Sequence, residues 1–318
     1  MTNAADYTAL AAYYDLADEA AALLRGQGNR ELPGIKEEVC QNGPVKAHTV
    51  TIYNQTGERL LRRSRGRYIT LSLPDLDDGE TMEQVAQITA GYLASLLPPL
   101  GKGGLMLVGL GNDSAVADSL GPKVVDKTYA TRHLQPSPED FGMLCALAPG
   151  VLGATGIETA EILKGAAEYV RPDAILVVDS LAAASVSRVG VTVQMSESGI
   201  CPGSGVGNAR QAITAQTMGV PVVAVGVPTV VNAYSIIRET AESLGRYWQR
   251  QGKSYPAGSG EAVAFAAGEL LQAFSGVLMV TPKDVDDLIA KVAEVLAAAV
   301  ALVIHPAALR QGYHSFIK

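Results

Sequence analysis

Gly104-Leu105-Met106-Leu107-Val108-Gly109-Leu110, running into Gly111-Asn112-Asp113-Ser114 and then Ala117-Asp118-Ser119-Leu120-Gly121-Pro122, decides the fold. A short apolar run without polar alternation, closed by glycine, reads as a strand buried on both faces. Working outward, similar runs stand at 174–179 (AILVVD), 190–195 (GVTVQM), 221–226 (PVVAVG) and 276–280 (GVLMV). Helical spacing lies between most of them, at about 120–134, 157–170, 209–218, 231–248 and 283–304. Apolar strands alternating with helices imply an α/β fold: three layers, α/β/α, around a mostly parallel central sheet.

Toward the N-terminus the pattern changes. Residues 45–53 (VKAHTVTIY) and 67–73 (RYITLSL) alternate as half-buried strands do, with a turn at Asn54–Gly57, so an N-terminal β elaboration is expected. Residues 1–25 read as helical, and 81–97 form a second helix stopped by Pro98 and Pro99. Between the strands lie Arg59, Arg62, Arg63, Arg65 and Arg67, read either as a solvated face or as a contact for an acidic partner. No repeat or linker interrupts the chain, so a single α/β domain is expected from residue 16 to residue 318.

Composition excludes several classes. The chain has 318 residues, a formal charge of −7, 48% hydrophobic and 18% charged residues, which argues against global disorder and against general nucleic-acid binding. Cys40, Cys145 and Cys201 are odd in number and far apart, so neither a disulfide framework nor a zinc motif is expected, and a reducing cytoplasm is the expected location. The first residues carry Asp6, Asp15, Asp18 and Glu19 and no basic segment, unlike a signal peptide. Val295–Ile304 is too short to cross a bilayer, so no membrane partner is expected.

Sites in parallel sheets lie beyond the carboxyl ends of the strands. Asp118 and Asp179 each follow a core strand. Two neighbouring carboxylates share a proton, because the first charge opposes the second ionisation. One then serves as base toward water and the other as acid; the bland alternative is that each caps a helix. Gly109-Leu110-Gly111 lacks the third glycine and the distal acid of a dinucleotide fingerprint. Neither a phosphate-binding loop nor a Gly-x-Ser-x-Gly elbow occurs. Of His48, His133, His305 and His314, only His133 is a supporting candidate, with Glu158, which also suits a helix N-terminus. The run 196–208 holds Ser198, Gly199, Pro202, Gly203, Ser204, Gly205, Gly207 and Asn208 and reads as a ligand cradle, a lid or a plain connection. Cys201 within it lacks a nearby basic partner in sequence.

Taken together, Gly109-Leu110-Gly111-Asn112, Ala117-Asp118-Ser119-Leu120-Gly121-Pro122, Thr131-Arg132-His133-Leu134, Pro149-Gly150-Val151 and Gly156-Ile157-Glu158-Thr159 resemble the germination protease family of spore-forming bacteria. Asp179-Ser180-Leu181-Ala182-Ala183, Pro202 to Asn208, Gly226-Val227-Pro228-Thr229 and Val280-Thr281-Pro282-Lys283 extend the resemblance in order along the chain. It implies an atypical aspartic endopeptidase, similar in fold to the hydrogenase-maturation endopeptidases, that degrades small acid-soluble spore proteins in the spore core during germination. It implies Asp118 and Asp179 as the catalytic pair, no cofactor, and a homotetrameric zymogen. By the same resemblance, Asp15-Leu16-Ala17 matches the family's own processing site, so residues 1–15 are a propeptide removed by cleavage between Asp15 and Leu16. Ala184 stands where the family has arginine, Asn232 where it has aspartate, and the stretch between Trp248 and Gly276 is shorter. Two rival readings remain: a metal-dependent peptidase using Asp118, Asp179 and His133, and a spore-protein-binding homologue without catalysis.

Overall fold

A computed structural model describes residues 15–26, 31–134, 141–202, 210–253, 259–274 and 278–305, together with 308, 314, 317 and 318. Along the chain these form α1 (Ala17–Arg25), β1 (Ile35–Asn42), β2 (Val45–Ile52), α2 (Gln55–Leu61), β3 (Gly66–Ser72), α3 (Gly79–Leu96) and β4 (Leu105–Gly109). Then come α4 (Leu120–Lys127), β5 (Leu144–Leu147), α5 (Leu152–Thr155), α6 (Thr159–Val170), β6 (Ala174–Ala183), β7 (Thr192–Ser196) and α7 (Ala215–Met218). The rest comprises β8 (Val222–Asn232), α8 (Ala233–Arg250), α9 (Ser259–Leu271), β9 (Met279–Val280) and α10 (Val285–Ile304).

The strands build one sheet in the order β1-β2-β3-β7-β8-β6-β4-β5, with β9 on the end of β8. The core strands β8, β6, β4 and β5 are parallel. The N-terminal strands and β7 pair antiparallel. The connection 184–191 between β6 and β7 is shorter than a parallel crossover requires, which accounts for the reversed direction of β7.

Side-chain alternation sorts the sheet into two unlike faces. On one face a single apolar cluster runs from Val45 and Leu71, through Val193, Val225 and Leu176, to Leu105. It is covered by α3, α4 and α10. The opposite face carries separate smaller clusters, two of which flank the cleft. One gathers Met106, Val108, Ile175 and Val177 under α6. The other gathers Val50, Ile52 and Tyr68 under α1 and α2. The strip of sheet between them is where polar side chains appear.

Several elements depart from the sequence pattern. The expected turn at Asn54–Gly57 and the charged run after it begin a helix, because Asn54 accepts hydrogen bonds from the Thr56 and Gly57 amides and caps α2. Strand β1 escapes an apolar-run reading because it is an edge strand and mostly exposed. The expected helix at 209–218 is reduced to Ala215–Met218, held by a reciprocal Thr214–Thr217 capping box. The helix expected over 120–134 ends at Lys127, with Thr131 instead bonding Gly142 and Leu144 beside β5. The stretch between Trp248 and Gly276 carries α9, which packs on α8.

Candidate active site

A cleft of about 730 Å³ opens on the split face, between the α6 and α1–α2 covers. Its floor is a row of paired residues. Gln194 on β7 lies opposite Gly226 on β8, and Gly226 lies opposite Asp179 on β6. Residues opposite one another in a sheet point to one face, so Asp179 and Gln194 stand on either side of a residue without a side chain. Leu181, two residues after Asp179, leans over Gly226: a Cβ there would lie 2.4 Å from its Cδ1.

Asp118 reaches the cleft through the tight turn after β4. The Leu110 amide donates to the Val178 carbonyl at 2.8 Å, so the ends of β4 and β6 are tied together. Gly111, at φ +113°, lets the chain turn back on itself, and a Cβ there would lie 2.0 Å from the Asp118 carbonyl oxygen. The Asn112 amide donates to that carbonyl at 3.0 Å. Gly109 and Gly121 pack backbone against backbone below the turn. Thr229 Oγ1 donates to the Ala117 carbonyl at 2.6 Å and anchors the turn to β8.

The Asp118 charge acts on Asp179. Asp179 is 8% exposed and its pKa is pushed well above the ordinary carboxylate range, first by burial and then by the Asp118 charge. The Ser180 amide, donating to Asp179 Oδ1 at 2.9 Å, offsets this only in part. The Asp118 pKa is raised by burial and lowered by the Asn112 backbone. Burial and the Asp118 charge both favour the neutral form of Asp179.

The chain's own N-terminal segment lies in the cleft. The Ala182 amide donates to the Asp15 carboxylate at 2.9 Å. Gln194 Nε2 donates to the Asp15 carbonyl at 2.9 Å, and Gln194 Oε1 accepts from the Ala17 amide at 2.6 Å. Leu16 between them is fully buried. Beyond it, Asp18 pairs with Arg188 at 2.8 Å and lies 3.8 Å from His48 Nδ1. Glu19 Oε2 accepts from the Ala184 amide at 2.9 Å, and its Oε1 lies 3.8 Å from Arg188. Burial raises the Glu19 pKa to about 7 against the lowering effect of Arg188.

Among the expected residues, Asp118, Asp179, Glu158, Asp15, Ser198, Gly199 and Pro202 line the cleft. Gly203, Ser204, Gly205, Gly207 and Asn208 lie outside the described residues. The stems on either side of them are joined, with Ile200 and Ile213 exchanging backbone hydrogen bonds. Ser198 Oγ donates to the Tyr68 hydroxyl at 2.8 Å. Glu158 precedes α6 and lies 3.9 Å from Arg210. His133 is exposed in the turn after α4 and does not line the cleft. Among the described residues no three His, Cys, Asp or Glu side chains converge as metal ligands. A metal triad of Asp118, Asp179 and His133 is therefore not assembled here. Of the arginine cluster, Arg62 and Arg63 line the cleft, while Arg65 and Arg67 pair outward with Glu58 and Glu197.

Gln194 is absent from the residues that the sequence singles out. Its signal was present: Thr192, Gln194 and Ser196 alternate with Val193 and Met195, which places a buried polar stripe on one face of β7.

The family model described as germination protease matches residues 13–266. The germination protease of Clostridium tetani is 36% identical over 320 residues, covering 95% of this chain and 98% of that one. Those of Caldanaerobacter subterraneus and Bacillus subtilis are 38% and 35% identical, covering 92% and 90% of this chain and 94% and 90% of theirs. The chain belongs to the germination protease family. As a germination-protease family member it is an aspartic-type endopeptidase. A solved nickel–iron hydrogenase maturation protease, HycI from Thermococcus kodakarensis, aligns at 13% identity and TM-score 0.31, over 66% of this chain and 98% of that one. That likeness is too distant to bear on chemistry. Among the described residues no helix is long and apolar enough to cross a membrane.

Ala184 and Asn232 each have a structural role. The Ala184 backbone amide makes the contact to Glu19. Asn232 caps α8 by accepting from the Tyr234 amide at 2.9 Å, a role asparagine fills as well as aspartate.

Proposed function

We propose that this endopeptidase degrades small acid-soluble spore proteins in the spore core during germination, cutting after an acidic residue, and that Asp118 and Asp179 carry the chemistry. We further propose that it acts first on itself, between Asp15 and Leu16, removing residues 1–15. The observation that carries this reading is the peptide already in the cleft: Asp15 lies close enough for its charge to raise the Asp179 pKa, and its carbonyl is held by Gln194.

In the proposed reaction, ionised Asp118 takes a proton from water as the water oxygen attacks the carbonyl carbon. The tetrahedral oxyanion collapses, the C–N bond breaks, and the amine nitrogen takes the proton held by Asp179. Transfer to Asp179 of the proton that Asp118 took from water resets the pair. Ala182 N–H reads the acidic side chain before the bond, and Arg62, Arg63 and Arg188 favour an acidic, extended chain. The expected assembly is a homotetramer.

The test is incubation of the pure protein with a small acid-soluble spore protein, with cut bonds mapped by mass spectrometry. Cuts after acidic residues are expected. Asp118→Asn and Asp179→Asn are each expected to abolish both substrate cleavage and the Asp15–Leu16 cut. Undiminished activity in either variant removes the aspartate pair from the mechanism.

A further inference from the structure

We propose that Gln194 is the oxyanion donor of the reaction and the clamp that sets its register. The proposal rests on the preceding reading of Asp118, Asp179 and the Asp15–Leu16 bond. Three observations lead to it.

First, the two ends of one side-chain amide meet the peptide on opposite sides of that bond. Nε2 donates to the Asp15 carbonyl, and Oε1 accepts from the Ala17 amide. A carboxamide offers a donor and an acceptor side by side in one plane at every pH. It therefore binds the backbone of a passing chain whatever its side chains, and fixes which carbonyl faces the aspartates.

Second, Gln194 belongs to the same cross-strand row as Asp179, separated from it by Gly226. The carbonyl it holds is thereby presented to the carboxyl pair from the opposite side of the cleft. As water adds to the carbonyl carbon, negative charge grows on the oxygen that Nε2–H already contacts. A donor aimed at that oxygen in a water-poor site strengthens as the charge develops. Gln194 gains and loses no proton; the proton transfers stay with Asp118 and Asp179.

Third, Gln194 is only 8% exposed, and its described hydrogen bonds both go to the N-terminal segment. Departure of that segment leaves a nearly buried donor and acceptor to be satisfied again. An incoming extended peptide satisfies both at once, so the contact that occupies the cleft in the uncut chain is the contact the substrate inherits.

The experiment compares the full-length wild type with Gln194→Glu, Gln194→Ala and Asp179→Asn. Rates are read on the intramolecular Asp15–Leu16 cut and on a synthetic peptide containing Asp-Leu-Ala. Gln194→Glu keeps the size and the acceptor and loses the donor once ionised, so its rates are read at rising pH, where it carries the test even if Gln194→Ala fails to fold. Expected is a fall in kcat of roughly a hundredfold or more for Gln194→Glu, with KM changed far less, because the lost bond matters most in the transition state. Gln194→Ala is expected to lose the acceptor too and to cut the peptide at scattered bonds. A Gln194→Glu enzyme with wild-type kcat overturns the proposal, as does one whose loss lies wholly in KM. Failure of the underlying reading looks different: Asp179→Asn would then cut as fast as wild type, or the wild type would leave the Asp15–Leu16 bond intact.

Discussion

Glu19 shows how one buried carboxyl ties the N-terminal segment to pH. Its folded pKa of about 7 lies above its ordinary value of 4.5, so the docked segment binds more protons than the released one between those values. Its contribution to docking is present in full below pH 4.5 and is lost as pH rises through 7. The span corresponds to about 3 kcal/mol of docking free energy, taken as an order of magnitude. Limited proteolysis or hydrogen exchange over residues 17–25 is expected to show looser docking at pH 8 than at pH 5. Glu19→Gln is expected to flatten that dependence while leaving the low-pH behaviour unchanged. At the proposed catalytic pair the same physics acts on Asp179, whose neutral form is favoured by burial and by the Asp118 charge.

At the scale of elements, the turn after β4 is built from backbone contacts that admit no side chain. Gly111→Ala places a Cβ against the Asp118 carbonyl at a φ that favours glycine. The fold is expected to survive, because the β4 strand itself is untouched. Activity is expected to fall about a hundredfold or more, because a shift of about 1 Å in a reacting group has that cost. Gly91→Ala makes the matching control. Gly91 is exposed on α3 with open space around its missing Cβ, so the same change is expected to stabilise the protein by about 0.5–1 kcal/mol and leave kcat unchanged. Thermal melts and single-turnover rates on the two variants separate positioning from stability.

At the scale of the molecule, the two sheet faces have different jobs. The face under α3, α4 and α10 is one continuous apolar cluster, with Ile289 and Val292 each 1% exposed. The cleft face is divided, and α1 and α2 cover only a small separate cluster. Regions with fewer buried apolar contacts open with less free energy. Hydrogen exchange is expected to protect 289–302 through global unfolding only, and 17–25 through a lower-energy local opening. Cleavage between Asp15 and Leu16 would put an ammonium on Leu16, which is fully buried, and burial of an unpaired charge is strongly unfavourable. Residues 17–25 are therefore expected to lose protection after the cut, which clears the cleft for another chain.

Much of this was legible in the linear chain. The apolar strands at 105–109 and 174–178 announce the parallel core, because a strand covered on both faces has no polar positions to spare. The position of Asp118 past β4 follows from the same pattern; Asp179, expected just past a strand end, instead lies inside β6, which runs on to Ala183 alongside β8. Gln194 was hidden inside a strand because its importance comes from register: only pairing with Gly226, and through it with Asp179, places the amide across from the carboxyls. The direction of β7, the helix capped by Asn54 and the absence of His133 from the cleft also depend on contacts distant in sequence. The sequence by itself determined the layers and the parallel core strands, because local periodicity and turn chemistry encode them. Only the tertiary structure decided what stands opposite the two aspartates, because cross-strand register and the gap between two core clusters bring residues 15–19, 179 and 194 into one cleft.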